Sequence, residues 1–400
     1  MTEPAARAAD EPPYAWVVVW AAFVCLAVIF GVAYSFAAFF RSFAVDFAAE
    51  RADVSLVFGI SGLIYFLLGA GAGMLADRFG PRVVCTAGML FIAGGLVASS
   101  FAQSMSAIYV AWGAGLGIGI GLVYAPSIAS VPPWFVRRRA FAAGVASAGI
   151  GVGTLTVPLL ATAAIDAFGW RHALQAIAAG VLVVGVASTL LLRRAPRPAA
   201  AGTTAAGMTL RQALASRRFW WMYAAGVLAA PAMFVPFAHV SAAARDLGIG
   251  DARAVGLVGL IGIGSIVGRF VIGGLADRLG RIASIALLEA SLGAAYLLWL
   301  AASGYVALAL FAVWVGLSYG GIVSLLPAIS MDLFGARAVS SILGTLYTGA
   351  AFGNLLGPLV AGAVFDRTGS YVPVIWACLV LAALSAIASA QLLRDRSPGY

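Results

Sequence analysis

The sequence predicts an all-α integral membrane protein of twelve transmembrane helices, arranged as two pseudo-symmetric six-helix bundles. Three observations carry this expectation. Of 400 residues, 63% are hydrophobic and 10% charged, with a mean hydropathy of +1.02, a balance that soluble globular domains do not show. Apolar runs of roughly 20 residues, enough to cross about 30 Å of hydrocarbon as a helix, follow one another along the chain. The chain also aligns with itself when shifted by 200 residues.

The predicted spans are 14–40, 55–75, 83–101, 108–131, 140–165 and 173–192, then 219–242, 255–275, 282–302, 305–331, 340–365 and 372–393. They divide the chain into a tail 1–13, a bundle 14–193, a linker 194–218, a second bundle 219–393 and a tail 394–400. The first tail is polar and contains prolines. It lacks a basic stretch followed by a short apolar core, and the next run is long enough to span, so no cleaved signal peptide is expected. The linker is basic, carries Pro, Ala and Thr, and is poor in bulky apolar residues.

A formal charge of +9 and a pI near 9.9 raise the question of nucleic acid, which the distribution of that charge answers. The chain has no Lys. With the N-terminus inside, seventeen Arg fall on inner loops and tails, among them Arg137, Arg138, Arg139, Arg193, Arg194 and Arg197. Six fall on outer loops: Arg41, Arg51, Arg171, Arg245, Arg253 and Arg367. Such an asymmetry orients helices, so both termini are expected in the cytoplasm of a bacterial inner membrane, with the lipid bilayer and not nucleic acid as the macromolecular surroundings. Cys25, Cys85 and Cys378 lie within apolar runs, where they read as small hydrophobes with no disulfide framework and no metal-ligand spacing. No nucleophile–base pair is visible. Neither an enzyme nor a cofactor is expected, and the chain is expected to be a monomer.

Gly73, Leu75, Ala76, Asp77, Arg78 and Gly80 fall on Gly273, Leu275, Ala276, Asp277, Arg278 and Gly280 at the offset of 200. Gly59, Gly62, Asp166 and Gly169 fall likewise on Gly259, Gly262, Asp366 and Gly369. Two halves with even numbers of spans enter the membrane from the same side, as parallel repeats about an axis along its normal. This organisation is similar to the major facilitator superfamily. Gly73, Asp77, Arg78 and Gly80, with the second copy Asp277 and Arg278, match that superfamily's signature between helices 2 and 3. Glycines there let helices approach, and the charges at a helix end are expected to pair and break as a carrier switches.

Arg269 breaks the symmetry, because its counterpart is Gly69. A guanidinium keeps its proton, so placing it in hydrocarbon costs several kcal/mol unless it faces water, an acid or a polar cavity. Eight residues of helix at roughly 1.5 Å each put it about 12 Å from Asp277, too deep to snorkel comfortably. Ser265, Arg269 and Gly273 share one small and polar face, the kind that lines a cavity. The simpler reading is an Arg tied to backbone carbonyls at a packing interface.

Several segments resemble the monocarboxylate transporter family, with its oxalate/formate antiporter relatives. Trp134 and Phe135, the basic run Arg137 to Arg139 and the small residues that follow as far as Gly149 look like its helix 5 signature. Phe168, Gly169, Trp170 and Arg171 match its entry into helix 6, and Met331 to Gly335, Gly357 with Pro358, and Trp376 with Cys378 match further. The resemblance implies that Arg269 binds a substrate carboxylate. It also carries departures: Tyr34 stands where many animal members have a lysine, Ser265 where they have an aspartate, and Ala350 near the place of the oxalate carrier's second cation. A small, lactate- or pyruvate-like monocarboxylate is therefore the expected substrate, moved with protons by alternating access.

Tyr124 and Tyr319, in Gly-rich helices 4 and 10, are candidates to add phenol hydroxyls beside a carboxylate, as are Tyr34, Tyr347 and Asn354; packing is the simpler role for any one of them. Gly113, Gly115, Gly117, Gly119 and Gly121 read as a close-packing stripe, since no strand precedes them and no Lys follows. For proton coupling the candidates are His239 and Glu289. Pro231 and Pro236 are expected to interrupt helix 7 just before His239, and broken helices border transporter sites. Glu289 lies in helix 9, where a packing or lipid-edge role is the simpler reading. A drug/proton antiporter is the rival carrier, against which stand Ala111, where that group has an arginine, and the absence of its Gly-Pro motif between Gly149 and Pro158. A receptor without turnover is the rival of another class, and no output domain is visible.

Overall fold

A computed structural model describes residues 12–135, 139–195, 207–335 and 337–394. The N-terminal tail as far as residue 11, Arg137 and Arg138, the linker's 196–206 and the C-terminal 395–400 lie outside the described residues, as do the side chains of Asp77 and Asp277. Helices account for nearly all of the rest. In chain order they are α1 (Tyr14–Asp46), α2 (Arg51–Phe79), α3 (Pro81–Ser100), α4 (105–129), α5 (139–168), α6 (170–190), α7 (Arg217–Asp246), α8 (Asp251–Leu279), α9 (Arg281–Leu300), α10 (Tyr305–Phe334), α11 (Val339–Thr368) and α12 (Val372–Arg394). A short helix, Leu210–Ala215, precedes α7 and is closed by a reciprocal Thr209–Gln212 cap.

α5 and α6 are continuous in hydrogen bonding, so the apolar stretch Phe141–Leu190 runs for 50 residues. At roughly 1.5 Å per residue that is far longer than a bilayer is thick, so it cannot be one span. It breaks at Gly169, whose φ of +77° only glycine adopts without strain. Eleven apolar helices thus make twelve crossings among the described residues. The helices also run past their apolar cores. α2 begins at Arg51 and ends at Phe79, four residues beyond the predicted span at each end, because charged residues in a terminal turn can stay helical while their heads reach the polar boundary.

Pro231 and Pro236 lie inside α7 without ending it, against the sequence expectation of an interrupted helix. Proline at 236 cannot donate to the carbonyl of Ala232, and that carbonyl instead accepts from the Tyr296 hydroxyl of α9 at 2.8 Å. A freed backbone group buried in the bundle is satisfied by a neighbouring helix, and the helix continues.

The repeat is visible residue for residue. α2 and α8, and α3 and α9, start and end at equivalent positions, and α1 and α7 both end at the matching Asp46 and Asp246. Across the seam between the halves, α2 packs on α11 and α8 on α5. A Cβ built on Gly59 would lie 2.9 Å from Leu355 Cδ1, and one on Gly259 2.9 Å from Leu155 Cδ1. The same glycine–leucine approach closes both sides of the seam.

Candidate functional site

α8 is held against α10 by backbone contact. A side chain on Gly264 or Gly268 would collide with the carbonyls of Val313 and Leu317, and one on Gly316 or Gly320 with those of Ile261 and Ser265. Four glycines therefore fix the height and rotation of the helix that carries Arg269. That residue is buried, at 8% exposure. Its Nε donates to Ser265 Oγ at 3.4 Å, one turn earlier, and its Nη2 is buried without a hydrogen-bond partner. An unpartnered guanidinium nitrogen in a membrane interior is costly, and a ligand oxygen is the kind of group that would complete it.

Phenols surround this charge. The guanidinium interacts electrostatically with the hydroxyls of Tyr34, Tyr124, Tyr319 and Tyr347, drawn from α1, α4, α10 and α11. Tyr34 and Tyr319 hydroxyls lie 3.2 Å apart and join the two halves at this depth. Tyr34 stacks on Phe237 of α7, with ring centroids 4.0 Å apart and planes 13° from parallel. Phe30 packs edge-on against Tyr124 at 5.3 Å and against Tyr65 at 6.3 Å. Tyr65, which sequence reading missed, is buried within this ring and faces the same cavity. Its only signal was its place one turn before Gly69, the counterpart of Arg269.

The cavity holds about 930 Å³ of empty space including its opening. Tyr65, Tyr124, Tyr319 and Tyr347 line one part of it, so Arg269 borders the cavity through its tyrosine neighbours. Met222, Ile285 and Leu392, near the termini-bearing ends of α7, α9 and α12, line another part. Most of the remaining wall is apolar. Ala350, which the resemblance sets near the place of the oxalate carrier's second cation, stands on that wall with a methyl group.

Glu289 also lines this cavity and is 2% exposed, which corrects the lipid-edge reading: the acid-bearing face of α9 turns inward. Asn354 does not line the cavity. It sits on the α2–α11 seam, donating to the Phe58 carbonyl at 3.3 Å, against Gly62, where any side chain would overlap it. His239 is also away from the cavity wall, at the end of the bundle opposite the termini.

That end is closed by contacts between the halves. Arg51 donates to both carboxylate oxygens of Asp246, at 2.6 and 2.9 Å, and to the Tyr371 hydroxyl at 2.7 Å, while its guanidinium lies 3.7 Å from the Phe365 ring centroid. The Asp366 carboxylate accepts from the backbone N–H groups of Arg51 and Ala52 at 3.0 and 2.9 Å, a cap on the start of α2 supplied by the other half. Asp251 takes Arg41 from across the seam at 2.8 Å and Arg245 at 2.5 Å; burial pushes its carboxyl up, and the bonds to Arg245 and Arg41 together outweigh this and hold it below the usual carboxylate range. Behind Arg51 the Tyr371 hydroxyl lies 3.0 Å from His239 Nδ1, and His239 Nε2 lies 2.8 Å from the Pro358 carbonyl and 3.1 Å from Ser55 Oγ. A carbonyl only accepts, so Nε2 carries a proton, and the Tyr371 hydroxyl donates to Nδ1. The sequence marks Arg51 only as an outer-loop charge, since its acidic partners are 195 and 315 residues away.

At the termini-bearing end, Gly69, Gly71 and Gly73 of α2 have no neighbour within 4 Å of a would-be Cβ. The turns at Gly80 and Gly280 have φ of +94° and +87°, and Arg78 and Arg278 are exposed. In α4, Gly117 and Gly121 meet α2, and Gly115 and Gly119 meet α3. The stripe lets one helix sit tightly against two.

Residues 19–346 match the model of the Major Facilitator Superfamily. Monocarboxylate transporter 13 of Bos taurus is 30% identical over 391 residues, covering 96% of this chain and 90% of that protein. Monocarboxylate transporter 3 of Rattus norvegicus is 31% identical over 355 residues, covering 84% and 72%. Among solved structures, a bacterial homologue of the human lysosomal transporter Spinster superimposes with a TM-score of 0.74 at 17% identity, over 97% of this chain and all of that one, a likeness of fold.

Proposed function

Because the chain belongs to the major facilitator superfamily and, within it, to the monocarboxylate transporter family, we propose that it carries small, lactate- or pyruvate-like monocarboxylates across a bacterial inner membrane together with protons. The observation that carries the reading is the unpartnered Nη2 of Arg269 inside a ring of tyrosines at the border of a cavity. A carboxylate there takes charge-assisted, two-pronged bonds from the guanidinium, and the phenols of Tyr319, Tyr124 and Tyr347 are placed to donate to its remaining lone pairs. Tyr34 closes the ring from the first half. Asn354 contributes by holding α11 to α2 rather than by touching substrate.

Alternating access follows from the two ends of the seam. The Arg51 cluster holds one end shut, so that the halves must part there, breaking its bonds to Asp246 and Asp366, for substrate to leave or enter on that side. His239 couples protons to this step. A second proton on Nδ1 would meet the Tyr371 hydroxyl as donor against donor, force that hydroxyl to turn away, and set a cation near Arg51. Protonation thus favours parting. Gly73, Asp77, Arg78 and Gly80, with Asp277 and Arg278, serve the corresponding exchange at the other end.

The arginine asymmetry supports cytoplasmic termini and a cytoplasmic linker. Cysteine placed at Ala200 should react with impermeant thiol reagents only from the inside, and labelling from outside intact cells would reverse the orientation. The transport reading is tested in proteoliposomes with labelled lactate and an imposed pH gradient. Accumulation against the lactate gradient is expected. One fixed cation balances one carboxylate and leaves a second uncompensated at a cost of several kcal/mol, so oxalate, malonate and succinate should compete at least about a hundredfold more weakly than monoacids. Equal competition by diacids would replace this reading with the oxalate-type antiporter.

A further inference from the structure

Among the described residues one arginine and one acid are buried, Arg269 and Glu289, and neither has a charged counterpart in the first half, where Gly69 and Met89 stand. The cavity that Glu289 lines has Arg269 behind its tyrosine wall. Arg269 borders it through Tyr124, Tyr319 and Tyr347, and Glu289 is part of its wall, with Ser389 of α12 beside it. Their charges are not spent on each other: among the described residues no ion pair joins them, Arg269 Nε is bonded to Ser265 Oγ and its Nη2 has no partner, and the hydroxyls beside Glu289 are those of Ser389 and Ser385. Of these, Ser385 already donates to the Ala225 carbonyl at 2.9 Å. Oε2 of Glu289 is left buried with no hydrogen-bond partner.

A carboxyl oxygen in this position needs a donor, and the protein supplies none to it. The surrounding wall is apolar, formed by Met222, Ala225, Ile285 and Ile322. The geometry points to a two-pole site. We propose that Glu289, assisted by Ser389, is a subsite for a hydrogen-bond donor on the tail of the substrate, an amine first and a hydroxyl second, and that the preferred cargo is an amino- or hydroxy-substituted monocarboxylate with an apolar middle. This rests on the proposed carboxylate site at Arg269 and deepens it. An ammonium opposite Glu289 and a carboxylate opposite Arg269 leave no fixed charge in the cavity uncompensated, whereas a plain alkyl acid leaves the acid's oxygen bare.

The test is competition against labelled lactate uptake in proteoliposomes at one pH, using isosteric tails: pentanoate, γ-hydroxybutyrate and γ-aminobutyrate, then the homologous sets one and two methylenes longer. At the length that spans the cavity, the amino acid should compete roughly tenfold better than its methyl isostere, about the worth of one charge-assisted bond, with the hydroxy acid between. Glu289→Gln should collapse the ratio of amino to methyl acid to about that of the hydroxy acid, since an amide keeps hydrogen bonding but loses the charge. No tail preference at any length overturns the proposal in the wild-type protein alone, whatever the folding of the variant. A ratio unaltered by Glu289→Gln overturns it too, as does a variant whose pH profile changes while its tail preference stays, which would make Glu289 a proton carrier instead. Failure of the carboxylate site looks different: no monoacid of any tail would then compete.

Discussion

The two halves share their frame and differ in their chemistry. At an offset of 200 the helix ends, the seam glycines and the positive-φ turns coincide. The cavity and closure residues do not: Arg269 faces Gly69 in this alignment, His239 faces Phe39, Glu289 faces Met89, and Tyr319 faces Gly119. The first half answers with phenols, since Tyr34, Tyr65 and Tyr124 match Phe234, Ser265 and Ser324. In the proposed carrier, duplicated residues are the ones a symmetric rocking scaffold would require in both copies, and unique residues the ones a single, polar, asymmetric ligand would require once.

The contrast is sharpest at 69 and 269. Arg269→Ala removes the sole buried guanidinium among the described residues, and Arg269→Lys replaces a planar fork by a point charge. Both should lower lactate uptake at equal expression by at least about a hundredfold, the size expected for losing a charge-assisted bidentate contact. Gly69→Ala meets open space and should leave uptake within about twofold, as exposed or unpacked substitutions generally do. Wild-type uptake by a well-folded Arg269→Ala protein would remove the arginine from the site. A collapse on Gly69→Ala would show that the halves are functionally alike here after all.

How far the sequence reaches follows from the range over which each signal acts. Spans, repeat and the exceptional arginine are legible because hydropathy and self-similarity are local patterns, and Arg269 violates both at once. The Arg51 cluster was not, because Asp246 and Asp366 come to it across the seam from distant helices and no local spacing records the meeting. The inward turn of Glu289, which overturns only the lipid-edge alternative, was hidden for a related reason. In a helix apolar all round, periodicity does not say which face turns inward, and only the packing of α9 against α12 and α10 settles it. The prolines of α7 misled because a break was expected wherever a hydrogen bond was lost, while Tyr296 stood ready to restore one.

A smaller effect is expected where 39 and 239 differ. Phe39 is buried among aromatic rings, 6.0 Å from Phe43 and 5.3 Å from Trp112, and does nothing that depends on pH. His239 occupies the matching place with both ring nitrogens bonded, in a network whose charged members are Arg51 with Asp246 and Asp366 beyond it, and whose uncharged members are Tyr371, Ser55 and the Pro358 carbonyl. Gln in its place can still donate to the Pro358 carbonyl and accept from Tyr371 while carrying no proton of its own. His239→Gln should therefore keep the closed end intact and lactate binding measurable, yet flatten the pH dependence of uptake to under about twofold, where wild-type uptake rises severalfold as the pH falls. Since protonation is what parts the halves in this scheme, the variant should transport at the slow, high-pH rate of the wild type at every pH. An unchanged pH profile would mean that the proton crosses elsewhere, or that the acid crosses in neutral form, and would leave His239 as a structural tie that the first half happens to make with phenylalanine.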